Sequence, residues 1–332
     1  MIRRDLSLAL LCLGAQIGCS AHAMDLDHAA APPPVRATGA DPAVDSEQEF
    51  EGVWVDDRRL YWLTSFSSFQ SCLKADCEPT ILTYVTSDAR QAPLSVAVSE
   101  HVYWTLDSTV VTSCAPEGCG SEPVTVTKDH SLQRFFGHRD YLYWSSDLDL
   151  YRCPARGCSD TPEVVALGAT PYQLIFDDDR AYWIDSAGIL SAPIDGSQPS
   201  KLLIAWARDG SSMQSLAIGA DYLYWAIDER VLRCPIASCN ATVPTLLATG
   251  GAPVTDLKID GQTLFWLEGD LIHSCLLPGC ERSTVLIPQK VAPGGRSRYA
   301  VDASDVYWLE GMDPPSTEPR SPMAKSIRRT AR

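Results

Sequence analysis

Seven aromatic–tryptophan pairs on one period, five Cys-x4-Cys turns in register with them and no helical apolar periodicity predict an all-β chain. The fold they predict is a seven-bladed β-propeller of four-stranded blades. The pairs are Tyr61-Trp62, Tyr103-Trp104, Tyr143-Trp144, Tyr182-Trp183, Tyr224-Trp225, Phe265-Trp266 and Tyr307-Trp308, with successive Trp residues 42, 40, 39, 42, 41 and 42 positions apart. That spacing exceeds a leucine-rich repeat, and the units lack the helical pattern of tetratricopeptide or ankyrin repeats.

Each unit reads as four short strands, a to d. Strand a is an apolar segment ending in an acidic or Gly turn, as in residues 214–219 and 255–260. Strand b carries the aromatic–Trp pair and is apolar at consecutive positions, the pattern of a strand covered on both faces. Strand c is read at 150–153 and 231–234, and strand d at 163–167 and 244–248. β-branched and aromatic residues fill these segments, and Gly, Pro, Asp and Ser fill the gaps. Unit seven has strands a (298–302), b (306–308) and c (326–329), then runs out of chain. Residues 34–39 resemble the strand d at 244–250, so an N-terminal strand is expected to complete the last blade and close the ring, which removes exposed edges. Arg328 is read as a strand-flanking residue like Arg152 and Arg233.

The first 23 residues read as a secretory signal peptide: a basic start at Arg3 and Arg4, an apolar run from Leu6 to Leu13, and a small-x-small site at Ala21-His22-Ala23. Ile17-Gly18-Cys19-Ser20 resembles the end of a bacterial lipoprotein box, so lipidation of Cys19 stands as the alternative. Residues 24–33 are a linker or tether, and 34–332 form the propeller. The full chain carries a net charge of −15, and without Arg3, Arg4 and Asp5 it has 25 basic and 41 acidic residues. Nucleic acid is a poor partner for such a surface. A membrane is met only through a lipid anchor.

Outside the signal region the cysteines form five pairs of one spacing: Cys72/Cys77, Cys114/Cys119, Cys153/Cys158, Cys234/Cys239 and Cys275/Cys280. Each frames a c–d turn. Unit four has Ala192 and Ser197 in their place and the turn Ile194-Asp195-Gly196 instead. Both cysteines are missing together, as expected of a bonded pair. Five local disulfides follow, which suits an exported protein. Zinc would need four converging ligands, and no His accompanies the pairs.

No HExxH, GxSxG, P-loop or GxGxxG pattern is present. His130 and His138 flank strand a of unit three, where they could face the channel. A carboxylate follows the Trp in units two to seven: Asp107, Asp147, Asp185, Asp228, Glu268 and Glu310. Such residues cap b–c turns. They could also form an acidic collar that binds a cation or a basic ligand. The b–c loops of units one (64–70) and seven (311–323) depart from the pattern and adjoin at the seam, and variable loops on a rigid repeat are where binding sites usually lie.

Leu142-Tyr143-Trp144-Ser145-Ser146-Asp147 and Ala181-Tyr182-Trp183-Ile184-Asp185 resemble the YWTD repeat of low-density-lipoprotein-receptor-type propellers, and Ile194-Asp195-Gly196 is similar to that family's Leu-Asp-Gly turn. The resemblance spans residues 50–310. That family has six blades and no Cys pairs in its turns. In those respects the chain is more similar to exported bacterial propellers, often lipoproteins. Such relatives imply binding or scaffolding. The expected protein is a monomeric, exported cell-envelope binding or interaction module without catalytic activity or cofactor. Its partner is a protein or small ligand, and its place is the periplasm, the outer-membrane surface or the medium. An exported metal-dependent lyase or hydrolase with a channel site is the alternative.

Overall fold

The computed structural model describes residues 41–332 except 65–67, 87–94, 108, 121, 130–131, 133, 147, 159–160, 207–210, 220, 281–283, 288–290, 293–296 and 311–323, and the side chains of 41–43, 45–48 and 324–325. The signal-peptide, lipidation and linker expectations, the segment 34–39, His130, Asp147 and most of the two seam loops lie outside the described residues.

Seven four-stranded antiparallel blades form a ring. Blade 4 shows the plan: strands a (Gln173–Phe176), b (Arg180–Asp185), c (Gly188–Pro193) and d (Lys201–Ala205) pair in chain order. The a strands of blades 2 and 3, 4 and 5, 5 and 6, and 7 and 1 touch one another, so strand a lies innermost. Strand bounds fall within two residues of the sequence expectation, as in Met213–Gly219 and Arg230–Pro235 of blade 5. Apart from two short 3-10 turns, Glu78–Thr80 and Ile236–Ser238, the described chain is strand and loop. No helix among the described residues is long and apolar enough to cross a membrane.

The aromatic–Trp pair explains how the blades stack. Consecutive strand residues point to opposite faces. The Trp of each strand b therefore faces one neighbouring blade and the Tyr or Phe the other. Seven buried apolar clusters result, each joining adjacent blades: Tyr103 with Trp144, Tyr143 with Trp183, Tyr182 with Trp225, Tyr224 with Trp266, Phe265 with Trp308, Tyr307 with Trp62, and Tyr61 with Trp104. The sixth crosses from blade 7 to blade 1, which closes the circle. Burying an aromatic side chain stabilises by roughly 2–3 kcal/mol, so the core is distributed among the interfaces and has no single centre.

The closing strand is one 15-residue segment, Asp41–Val55, shared by two blades. Its first part pairs with Ala324–Ala331, from Asp41↔Arg329 to Phe50↔Ala324. Its last part pairs with Arg59–Thr64, from Phe50↔Thr64 to Val55↔Leu60. Closure by an N-terminal strand is thus as expected; among the described residues the pairing starts at 41, and the stretch 34–39 lies outside them. Register decides a second point. Tyr307 faces Arg329 just as Tyr143 faces Arg152 and Tyr224 faces Arg233, so Arg329, not Arg328, is their counterpart. Arg328 instead donates from Nε to Glu310 Oε2 at 2.8 Å. At the seam Lys74 Nζ reaches Asp302 Oδ2 of blade 7 at 2.6 Å and the Asp56 carbonyl of blade 1 at 2.8 Å.

All ten cysteines of the repeats are disulfide-bonded in the expected pairs: Cys72–Cys77, Cys114–Cys119, Cys153–Cys158, Cys234–Cys239 and Cys275–Cys280. Their Cα atoms stand 4.7 to 5.3 Å apart, within ordinary bridging distance. The two partners of a pair are not equivalent. Cys72, Cys114, Cys153, Cys234 and Cys275 lie on strand c. Cys77, Cys119, Cys158, Cys239 and Cys280 lie beyond its end, in the turn and before strand d. Each bond therefore folds the turn back onto strand c and does not join strand c to strand d. Strand d is held by its hydrogen-bond ladder and by packing, with Tyr84, Val126, Val165, Leu203 and Ile287 in the buried clusters.

Candidate binding cleft

Chain direction sorts the loops. The a–b and c–d turns share one rim of the ring; the b–c turns and the links between blades share the other. The five described carboxylates that follow Trp fall on the b–c rim. Asp107 is exposed and its Oδ1 accepts from the Thr109 hydroxyl (2.7 Å), which first, with the N–H groups of Thr109 (2.8 Å) and Val110 (3.0 Å), holds its carboxyl below the usual range. Asp185 is buried and takes Trp183 Nε1 at 3.0 Å and Ala187 N–H at 2.7 Å. Asp228 accepts from Ser212 N–H at 3.0 Å, and Glu268 from Gly251 N–H at 2.6 Å. Glu310 takes the Ser326 hydroxyl at 2.7 Å in addition to Arg328. Each described carboxylate thus serves local loop hydrogen bonds or its own sheet. No trio of His, Cys, Asp or Glu among the described residues is placed to hold a metal ion.

A second family of carboxylates was not singled out from the sequence. Asp56, Asp177 and Asp302 end strand a, five residues before the Tyr of strand b. Asp177 Oδ1 accepts from Asp179 and Arg180 N–H at 2.9 and 2.7 Å, and its Oδ2 accepts the Tyr182 hydroxyl at 2.7 Å. Asp56 treats Arg58, Arg59 and Tyr61 the same way. Burial and the adjacent carboxylate both push the phenols of Tyr61 and Tyr182 upward, so they stay protonated donors. The signal was present as an Asp five residues before Tyr; the exceptions are His138 and Gly219 in blades 3 and 5 and, one residue nearer its Tyr, Ser99 in blade 2.

Those exceptions place a cleft. In blades 1, 4 and 7 the turn is closed by Asp N–H donating to the carbonyl three residues on, at 3.0–3.1 Å. In blade 2, Ser99 N–H reaches His101 O at 2.9 Å, so the turn is one residue shorter. The rim drops there. A cleft of about 490 Å³ opens over blade 2, walled by Asp56 to Arg59 of blade 1, Pro116 and Glu117 of blade 2, and His138 and Arg139 of blade 3. Its volume is that of a ligand pocket. Gly137 is required in its floor: a Cβ there would stand 2.6 Å from Ser99 Oγ and 2.9 Å from Tyr103 Cε2. A second hollow of about 500 Å³ lies beside it, between His101 and Arg156.

His138, expected near the channel, lines the cleft. Its ring stacks on Phe176 at 4.5 Å and 10°. Burial first, then Arg139, push its pKa below the ordinary imidazole value. His101 Nε2 lies 3.3 Å from Asp140. His273 stacks on Trp266, 3.6 Å from Glu268, on the other rim.

No protein-family model and no curated protein matches the sequence. Solved structures match the fold. The computationally designed Ika8 protein shares 10% identity at a TM-score of 0.57, over 88% of this chain and 100% of that one. YCF48 bound to D1 peptide shares 8% at 0.61, over 88% and 94%. The WD40 beta propeller domain of Doa1 shares 11% at 0.57, over 88% and 97%. At these identities the likeness establishes the ring fold alone.

Proposed function

We propose that this chain is a non-enzymatic interaction module of the cell envelope that seats a protein partner on its a–b rim, over blades 1 to 3. The observation that carries the reading is the cleft over blade 2, open on a rim whose turns in blades 1, 4 and 7 are closed by aspartates. Export is supported by the signal-like first 23 residues and by five disulfides, which persist in oxidising compartments. A net charge of −15 favours a partner of opposite sign. A similar ring, YCF48, holds a peptide. The five described Trp-following carboxylates then act as turn supports on the far rim, with any cation-binding role there secondary.

The test is photo-cross-linking in the native envelope. A benzophenone side chain placed at Glu117, exposed at the cleft mouth, is expected to capture a discrete partner. The same group at Glu229, exposed on the opposite rim, is not. Equal capture at both positions, or none at Glu117, overturns the proposal. Mass measurement of the mature N-terminus separates cleavage after Ala23 from lipidation at Cys19.

A further inference from the structure

The charges around the cleft do not balance, and the imbalance identifies what enters it. Most of its ionic groups are already engaged. Arg58 pairs with Glu117 at 3.4 Å, Arg139 with Asp178, and Arg59 Nη1 donates to Ser71 Oγ at 3.0 Å. Asp56 is occupied by two turn N–H groups and the Tyr61 hydroxyl. Two carboxylates remain. Asp57 and Glu100 line the cleft, are exposed, and make no hydrogen bond or ion pair with any described residue. The lining carries three guanidinium groups, Arg58, Arg59 and Arg139, against four carboxylates, Asp56, Asp57, Glu100 and Glu117, so its formal charge is negative.

A second, independent observation lies below. Tyr103 is fully buried; in blades 1 and 4 the equivalent phenol has its aspartate, and in blade 2 the short Ser99 side chain stands in that place. The His138 Nε2, in the cleft wall, is buried and has no hydrogen-bond partner among the described residues. Unpaired buried polar groups are uncommon in folded proteins and call for an explanation. This one stands in the wall of the one place on this rim where the turn has been shortened. Around it the lining is apolar backbone and side chain: Val55, Val98, Pro116 and Gly137. A long aliphatic stem ending in a positive charge matches this arrangement, with the stem against the apolar wall and the head between two carboxylates.

We infer that the cleft recognises a lysine or arginine side chain presented by a polypeptide partner, with Asp57 and Glu100 receiving the charge. This rests on the interaction reading above and specifies its chemistry.

The test uses the full oxidised chain and four capped pentapeptides, Ala-Ala-X-Ala-Ala, in which X is Lys, Arg, norleucine or Glu. Binding is followed by NMR up to about 5 mM peptide, which detects an affinity of only a few kcal/mol. The Lys and Arg peptides are expected to shift resonances of the cleft, and the norleucine and Glu peptides are not. Asp57→Asn and Glu100→Gln should each weaken binding about threefold and together about tenfold, and added salt should weaken it further. Glu229→Gln on the far rim should change nothing. Norleucine binding as well as lysine, an unchanged double variant, or no shift with any peptide overturns the inference. So does displacement of bound peptide by calcium or magnesium alone at stoichiometric amounts, which would make the site a metal site. The two proposals fail separately. If the double variant still cross-links its partner through Glu117, the interaction module stands and the basic-side-chain recognition falls.

Discussion

Blade 4 supplies its own control for the disulfides. Cys153-Pro154-Ala155-Arg156-Gly157-Cys158 of blade 3 aligns with Ala192-Pro193-Ile194-Asp195-Gly196-Ser197 of blade 4. Both turns place a glycine at positive φ, +98° at Gly157 and +68° at Gly196. Blade 3 fastens its turn covalently; in blade 4 Asp195 Oδ1 accepts the Ser197 N–H at 2.9 Å. The double substitution Cys153→Ala, Cys158→Ser frees a loop of about six residues. The chain-entropy model assigns it about 2 kcal/mol at 25 °C. In a chain of this length that is a fall in Tm of about 4 °C, measured by scanning calorimetry without reductant. Adding Arg156→Asp should restore part of the loss, because the turn then has blade 4's hydrogen bond. Summed over five loops, the same model gives about 11 kcal/mol, as large as the whole stability of a typical domain. Full reduction should therefore leave the ring marginal. A double variant within 1 °C of the parent would refute the entropic argument, and so would a Tm indifferent to complete reduction.

Other outcomes follow from the turns and the seam. Asp177→Ala frees two N–H groups and orphans the buried Tyr182 hydroxyl, and should cost about 2–4 kcal/mol by urea denaturation. Tyr182→Phe should cost only about 1 kcal/mol, since blade 6 already carries Phe265 there. Lys74→Met removes a mostly buried clasp between blades 7 and 1; proteolysis should then begin at the seam, and a cut elsewhere first would contradict the clasp role. Acid should destabilise in two steps. His138 and His273 are held below their ordinary value of 6.5 chiefly by burial, so the unfolded chain takes the proton first. Their contribution is complete above about pH 6.5 and is lost as pH falls through their lower folded values. Asp302 is pushed up by burial, but Lys74 and the Ser304 and Asp305 N–H groups outweigh this and leave its carboxyl below the usual range. Its contribution is present above about pH 4 and is lost as pH falls through the folded value. Thermal melts at stepped pH read both limbs; unchanged stability from pH 7.5 to 5 would contradict the histidine assignment.

The blades were legible because their determinants are local. A Tyr-Trp pair, a hairpin and a disulfide between cysteines five apart all involve neighbours in the chain, so the sequence pattern carries them nearly whole. The carboxylates after Trp were legible too, but only as residue types. Whether such a group caps a turn or faces a ligand depends on where the next N–H group lies, and the backbone decides that. The a–b turn aspartates were visible as punctuation, and their bond to Tyr became apparent only with the strand register in hand.

Three things waited for the tertiary structure. The first is the closing segment: Asp41 pairs with Arg329 across nearly the whole chain, and no short-range pattern carries a pairing of that span. The second is the exchange of arginine between strands. Arg59 and Arg180 on strand b bond to Ser71 and Ser191 on strand c at 3.0 Å, whereas Arg152 and Arg233 on strand c lie 4.7 and 4.8 Å over Tyr141 and Tyr222 on strand b. The third is the cleft, which exists because one turn among seven is a residue short and its neighbours are not. The amino-acid order thus settled what each blade is, since a blade is built from contacts close along the chain. The ring, its seam and its opening came from residues forty or three hundred positions apart meeting in space, and that meeting is a property of the assembled fold.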